Sequence, residues 1–203
     1  MDGKTCLQKL KLVGVLNVAT VDEKGNPQVR NISAVHYEED FFFFFTARGK
    51  NFAKELDQDG RCQILVHTRF NEMIRVSGVA KKSDASLQEE RINLIFSEQP
   101  YLSNVYPGDT RKIGVIYEIR DMQIEYFNLG TYPIFRETYT IGNYLAEEKG
   151  YEISHSCISC GKCQTRCPQK AIEKGKTYVI NKSHCLHCGA CYEICPVKAI
   201  KRL

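Results

Sequence analysis

One block of sixteen residues occurs twice in this chain, 28 positions apart, and nothing else in the sequence constrains it as much. Cys157-Ile158-Ser159-Cys160-Gly161-Lys162-Cys163-Gln164-Thr165-Arg166-Cys167-Pro168-Gln169-Lys170-Ala171-Ile172 returns as Cys185-Leu186-His187-Cys188-Gly189-Ala190-Cys191-Tyr192-Glu193-Ile194-Cys195-Pro196-Val197-Lys198-Ala199-Ile200. Nine of the sixteen aligned positions are identical, which marks an internal repeat. The 203 residues include ten cysteines, and only Cys6 and Cys62 lie outside the repeat. An even number of cysteines also suits a disulfide scaffold in a secreted protein. However, Met1 to Lys11 holds no apolar block of signal-peptide length. A cytoplasmic setting is therefore expected, and in a reducing compartment short, regular cysteine spacing means metal. No run approaches the roughly 20 apolar residues of a membrane span, so no membrane association is expected.

Each copy reads C-x2-C-x2-C-x3-C-P. Three thiolates at this spacing wrap one cubane iron–sulfur cluster, and in the two-cluster arrangement the fourth ligates the other cluster. That gives Cys157, Cys160, Cys163 and Cys195 to one 4Fe-4S cluster, and Cys185, Cys188, Cys191 and Cys167 to the second. Gly161 and Gly189 allow the tight loop between ligands. Ala171, Ile172, Ala199 and Ile200 are expected to pack against the clusters. Zinc is the competing reading; it uses two C-x2-C pairs without a third regularly spaced cysteine or the trailing proline. From Tyr151 onward the segment resembles a bacterial ferredoxin with two 4Fe-4S clusters, including Tyr178-Val179-Ile180 between the repeats. The resemblance implies single-electron relay. His184 and His187 flank a ligand of the second cluster; they either hydrogen-bond to its sulfur or lie solvated on the surface.

The net charge of +4 is uneven. Tyr144 onward carries ten Lys/Arg and five Asp/Glu, an excess of five positive charges; the remainder carries 18 and 19. Two oxidised clusters, each about −2 with its four thiolates, would offset most of that excess. Nucleic-acid binding is therefore not expected.

The first half reads as β-rich. An apolar run from Lys11 to Val21 ends in the turn Asp22-Glu23-Lys24-Gly25-Asn26-Pro27, and Gln28 to Tyr37 follows as a second strand. Asp40 to Thr46 is a third. Its five consecutive phenylalanines, Phe41 to Phe45, demand burial on both faces, which a barrel wall covered by a partner subunit would provide. Lys50 to Leu56 is a short helix, Arg61 to Thr68 and Met73 to Lys82 are strands, and Ser83-Asp84 caps a helix to about Ser97. Gln99 to Thr110 is a loop. Lys112 to Ile119 and Met122 to Phe127 are expected to pair as the last strands, closing a small barrel.

Val13-Gly14-Val15-Leu16-Asn17-Val18-Ala19-Thr20-Val21, Gly25-Asn26-Pro27-Gln28-Val29-Arg30, Phe45-Thr46-Ala47-Arg48-Gly49-Lys50 and Arg75-Val76-Ser77-Gly78-Val79-Ala80 follow one another in that order. Together they resemble the pyridoxamine 5′-phosphate oxidase-like family of FMN-binding split barrels, over roughly Lys4 to Asn128. The resemblance implies FMN, with Arg30 contacting it, Thr46 and Lys50 at its phosphate, and Arg48 as a further phosphate contact. Backbone around Asn31, Ile32 and Ser33 would face the isoalloxazine. It also implies a homodimer with flavin at the interface. A flavin phosphate of about −2 needs such cations and hydroxyl or backbone donors. The other reading of Arg30, Arg48 and Lys50 is solvated surface charge. Two departures argue against oxidation of pyridoxamine phosphate itself. Val35 stands where the oxidase has its second lysine, and this chain has no Trp.

The fold expected is therefore a mainly β, α+β split barrel of FMN-binding type followed by a small α+β two-cluster ferredoxin domain. Its divisions are residues 1–129, a connector at 130–154 packed on the barrel, and 155–203. The expected function is that of an iron–sulfur flavoprotein, an FMN-dependent oxidoreductase passing electrons between two 4Fe-4S clusters and FMN. It would act on a small molecule that the sequence does not identify and exchange electrons with a donor or acceptor protein. The alternatives are a flavin or nitro-group reductase with an external donor, and a non-enzymatic redox sensor or electron carrier. Tyr101, Tyr106 and His36 are candidate proton-handling groups, with a structural role as the other reading. No Gly-rich dinucleotide fingerprint occurs, so a tightly held NAD is not expected.

Overall fold

The computed structural model describes residues 1–203. Its first element is a helix, α1 (Gly3–Val13), where only an apolar run from Lys11 was expected. Asp2 caps it by accepting the Thr5 N–H at 2.7 Å, and Gly14 ends it in a left-handed conformation at φ 78°. Cys6, Leu7 and Leu10 are its buried residues, a helical rather than an alternating spacing. The strand proper, β1 (Leu16–Val21), buries Leu16, Val18 and Thr20 on alternate positions. The Asp22 carboxylate accepts the N–H groups of Lys24 and Asn26, both at 2.9 Å, and shapes the turn into β2 (Pro27–Ile32).

The single strand expected from Gln28 to Tyr37 is broken at Ser33. Beyond the break, β3 (Val35–Tyr37) leaves β1 and β2 and pairs with β4 (Phe42–Ala47). Next come α2 (Asn51–Gln58), β5 (Arg61–His67), β6 (Glu72–Val79) and the short β7 (Lys81–Lys82). Asp84 caps a 3₁₀ turn that runs into α3 (Gln88–Glu98). The expected loop at Gln99 to Thr110 contains one more helical turn, α4 (Leu102–Val105). Then follow β8 (Gly114–Ile119), β9 (Met122–Asn128) and β10 (Phe135–Ile141).

These strands form two sheets, ordered β10-β9-β6-β5-β1-β2 and β3-β4-β8-β7. The expected pairing of Lys112–Ile119 with Met122–Phe127 is corrected: β8 lies between β4 and β7, whereas β9 lies between β6 and β10. Sequence proximity suggested a hairpin, but the chain changes sheet at Arg120 and Asp121.

The phenylalanine strand is buried on both faces by its own chain, so no partner subunit is needed to cover it. Phe42, Phe43, Phe44 and Phe45 are 0%, 1%, 0% and 5% exposed. Phe43 and Phe45 pack with Ile92, Ile95 and Phe96 of α3 and Leu102 of α4. On the other face, Phe44 stacks between Phe52 of α2, at 5.7 Å, and Tyr117 of β8, at 6.0 Å. Full burial of side chains this size stabilises by about 1.5–3 kcal/mol each.

By contacts the chain divides into two compact units: Met1–Thr68 with Ile74–Glu125 and Tyr139–Leu145, and Arg69–Met73 with Tyr126–Thr138 and Ala146–Leu203. The connector segment 130–154 is thus shared between the two units, and it contains the strand β10. The cysteine repeats lie in the second unit. There β11 (Tyr151–Ile153) pairs antiparallel with β14 (Ile200–Arg202), and β12 (Ile172–Lys174) with β13 (Tyr178–Ile180). Short helices α5 (Lys162–Arg166) and α6 (Ala190–Ile194) occupy equivalent places in the repeats. No helix is long and apolar enough to cross a membrane.

Candidate functional site

The repeated sequence produces repeated geometry. Ser159 and His187 share a left-handed backbone, at φ 54° and 57°, as do Lys170 and Lys198, at 53° and 50°. Non-glycine residues avoid this region unless the surroundings impose it. Here it turns peptide N–H groups onto sulfur. Ser159 N–H donates to Cys157 Sγ and His187 N–H to Cys185 Sγ, both at 3.4 Å. Ala171 N–H donates to Cys167 Sγ at 3.3 Å, and Ala199 N–H to Cys195 Sγ at 3.2 Å. Gly161 and Gly189 have φ of 77° and 81°, and a Cβ on them would lie 3.1 Å and 2.9 Å from the hydroxyls of Tyr178 and Tyr151. Both positions therefore need glycine for conformation and for space.

Two cavities result. One is lined by Cys157, Cys160, Cys163 and Cys195, the other by Cys167, Cys185, Cys188 and Cys191. Each draws three cysteines from one repeat and the fourth from the other. Ala171 and Ile172 line the second cavity, and Ala199 and Ile200 the first; all four are buried. Burial raises the thiols of Cys163 and Cys185 and pushes that of Cys191 up to about 11. Four sulfurs facing one cavity in each site form a donor set that fits a metal group, which would hold them as thiolates. No three His, Cys, Asp or Glu side chains converge closely enough to hold a single metal ion.

The two histidines are not solvated surface groups; both are half-buried. His184 Nδ1 lies 2.9 Å from the Ile134 carbonyl, and the His187 ring packs on Gly150. Ile134 N–H also donates to Gln169 Oε1, at 2.9 Å. Two residues further on, Arg136 lies with its guanidinium 4.6 Å over Phe127, and its charge opposes the effect of burial on Cys185. The pattern of repeats gave no signal for Ile134 or Arg136, because they belong to a distant segment of the chain.

In the first unit the predicted flavin contacts fall into three environments. Arg30 is half-buried; its guanidinium pairs with Glu55 of α2 at 2.7 Å, donates to the Thr20 hydroxyl and lies 4.6 Å over Phe52. Thr20 in turn donates to Glu55. This cation is thus paired and part of a buried network with α2. Asn31 is exposed on the opposite face of β2, across from Asn17, and Ile32 lies across from Leu16. Ser33, at the break after β2, lies 2.6 Å from the Tyr101 hydroxyl. Tyr101 also donates to Gln99, whose amide donates to the Val35 carbonyl at 3.1 Å.

Thr46 is 4% exposed at the end of β4. Lys50 precedes α2 with its Nζ 6.0 Å from the Tyr106 ring centroid. No side chain caps α2, and Lys50 is itself the N-cap residue; an uncapped helix N-terminus preceded by a lysine suits a phosphate. Arg48 points elsewhere: it donates to the carbonyls of Lys112 and Gly114, at 2.7 and 3.0 Å, and lines a cavity of about 550 Å³ with Lys82, Gln88, Ile92 and Arg111. His36 is held between Glu98, at 2.9 Å, and Glu38, at 3.3 Å, and stacks on Phe43. Its surroundings match the structural reading.

Comparison with known proteins supports both halves. The pyridoxamine 5′-phosphate oxidase family profile matches residues 4–105, and that of the 4Fe-4S dicluster domain matches 149–196. Ferredoxin-1 of Rhodospirillum rubrum is 53% identical over 32 residues, covering 15% of this chain and 58% of that protein. A ferredoxin of Butyribacterium methylotrophicum is 48% identical over 33 residues, covering 16% and 60%. The chain thus spans about three-fifths of the length of these curated relatives. Among solved structures, a NimC/NimA family protein from Clostridium acetobutylicum superposes with a TM-score of 0.58 at 23% identity, over 68% of this chain and 91% of that one. A pyridoxamine 5′-phosphate oxidase-related, FMN-binding protein from Nostoc punctiforme gives 0.53 at 18% identity, over 68% and 86%. At these identities the likeness concerns the fold, the split barrel expected from the sequence.

Proposed function

The chain belongs to the pyridoxamine 5′-phosphate oxidase family, and from that premise we propose that it is an iron–sulfur flavoprotein passing electrons between two 4Fe-4S clusters and FMN. One observation carries the reading. Two cavities, each lined by four cysteines drawn from both repeats, share a polypeptide with a barrel whose family binds flavin. Cys157, Cys160, Cys163 and Cys195 hold one cluster; Cys167, Cys185, Cys188 and Cys191 hold the other. When bound, the clusters supply one-electron relay and FMN stores two electrons, which links single-electron carriers to two-electron chemistry on a small substrate.

The chain's own residues prepare the sites. The four N–H groups aimed at sulfur favour the thiolate form and raise the potential of what it binds. Lys50 and the open first turn of α2 receive the FMN phosphate, buried Thr46 supports that corner, and Ser33 and Tyr101 line the ring end. Arg30 acts at one remove: by holding Glu55 it fixes α2. The proposed assembly is a homodimer with flavin at its interface, in the cytoplasm. Oxidation of pyridoxamine phosphate is not the reaction proposed, because Val35 and the absence of Trp depart from the oxidase pattern. Zinc is disfavoured because each repeat carries a third regularly spaced cysteine and a trailing proline beyond the two C-x2-C pairs that zinc uses.

The test is chemical analysis of anaerobically purified protein. About eight irons per chain, matching acid-labile sulfide and bound FMN are expected. Two zinc ions and no sulfide would overturn the proposal.

A further inference from the structure

The two cysteine sites are matched in sequence but not in cover. Ile158 is 60% exposed, whereas its counterpart Leu186 is half-buried. Lys162 is exposed where Ala190 is half-buried. Val197 is 41% exposed, whereas its counterpart Gln169 is half-buried and holds the Ile134 N–H. Within this unit the chain therefore lays its own residues, Ile134 and Gly150, beside the Cys185 side of the second site. Around Cys160, itself exposed, it leaves a small apolar rim with a lysine that makes no ion pair. Lys198, next to Val197, is exposed as well.

We propose that this rim is the docking surface for an external electron carrier, a small protein with an acidic patch around its redox centre. The inference rests on the iron–sulfur reading of the cysteines. Charge argues for that occupant locally: Lys162, which lines the first site with Ile158 and Val197, and Lys198 are both exposed, so an acidic patch meets two cations there. A transient electron-transfer contact needs only a small interface, with a few apolar side chains for contact and opposite charge for encounter. Cys160 is exposed at that point, as is its counterpart Cys188 in the second site; what sets the first site apart is the uncovered Ile158, Lys162 and Val197 beside the ligand. In the step itself the reduced carrier loses one electron and the first site gains it, with no proton and no bond exchanged.

The experiment uses the full chain, loaded anaerobically, with a dithionite-reduced acidic two-cluster ferredoxin as the donor and dithionite alone as the small-molecule control. Lys162→Glu and Ile158→Asp reshape the rim; Lys176→Glu makes the same charge change in the β12–β13 turn. The rim variants should keep their iron and sulfide and react normally with dithionite. With the ferredoxin they should slow at least tenfold and lose most of the salt dependence, while Lys176→Glu stays near the unaltered rate. Three results would overturn the docking surface: ferredoxin rates unchanged in both rim variants, an equal loss in Lys176→Glu, or a change of oligomeric mass in Ile158→Asp, which would give the rim to a second copy. An iron-free unaltered chain would instead sink the underlying cluster reading.

Discussion

Ser159 and His187, 28 residues apart, hold the same left-handed backbone conformation, and each donates its N–H to the cysteine sulfur two positions earlier. Neither residue is glycine, so the strain is borne for the direction of the N–H. Left-handed backbone costs an ordinary residue roughly 1–2 kcal/mol, and a β-branched one more. Ser159→Gly, at an exposed position, should therefore retain full iron and sulfide and melt slightly higher. Ser159→Val and His187→Val should lose iron, as read by metal analysis after desalting.

The glycines beside them carry two constraints at once. Gly161→Ala and Gly189→Ala would strain the backbone and press on Tyr178 and Tyr151. Adding Tyr151→Phe to Gly189→Ala should relieve the contact and leave the conformational part, about 1 kcal/mol. Paired single and double variants, compared by thermal unfolding of the loaded protein, separate the two terms. Equal losses with and without Tyr151→Phe would contradict the contact.

Arg30 and Lys50 should separate stability from cofactor affinity. Arg30→Ala leaves the buried Glu55 carboxylate with Thr20 alone, at a cost of about 2–3 kcal/mol in urea unfolding. Lys50→Ala should leave unfolding unchanged and weaken FMN by about 1–3 kcal/mol, measured by fluorescence titration. If Lys50→Ala bound FMN normally, the phosphate would lie elsewhere.

The Glu118 carboxyl makes an acid-dependent contribution. Burial alone would raise its pKa, but the bonds from Arg120 and Arg91 outweigh burial and hold it below the usual carboxylate range. A folded-state pKa below the unfolded one gives stability that is present above the unfolded value and lost as pH falls through the folded one. Glu118→Gln should thus destabilise near neutral pH and flatten the acid limb of the unfolding curve. A parallel acid limb in the variant would argue against this pairing.

How far each feature could be read depends on whether its cause is local. The cysteine grouping was legible because the repeat states it twice. The burial of Phe42 to Phe45 was legible from their lack of alternation, but not what covers them, since α3 and α4 arrive some fifty residues later in the chain. The break at Ser33 was hidden inside a continuous β-like run, and with it the change of sheet between β2 and β3. The resemblance set Arg30 at the flavin; its partner Glu55 lay in an amphipathic helix with no motif to name it. The Ile134 bonds to Gln169 and His184 join segments 35 and 50 residues apart, a relationship no spacing rule contains.

The most direct test of the central claim is rapid anaerobic mixing of the oxidised protein with a one-electron reductant, following the cluster and flavin absorption bands separately. Bound FMN should be reduced after the clusters, within one turnover, and a cluster-free Cys160→Ala, Cys188→Ala variant should reduce its flavin more slowly. Clusters that reduce while FMN stays oxidised, together with a variant that reacts as fast as the unaltered protein, would contradict electron transfer between the two halves.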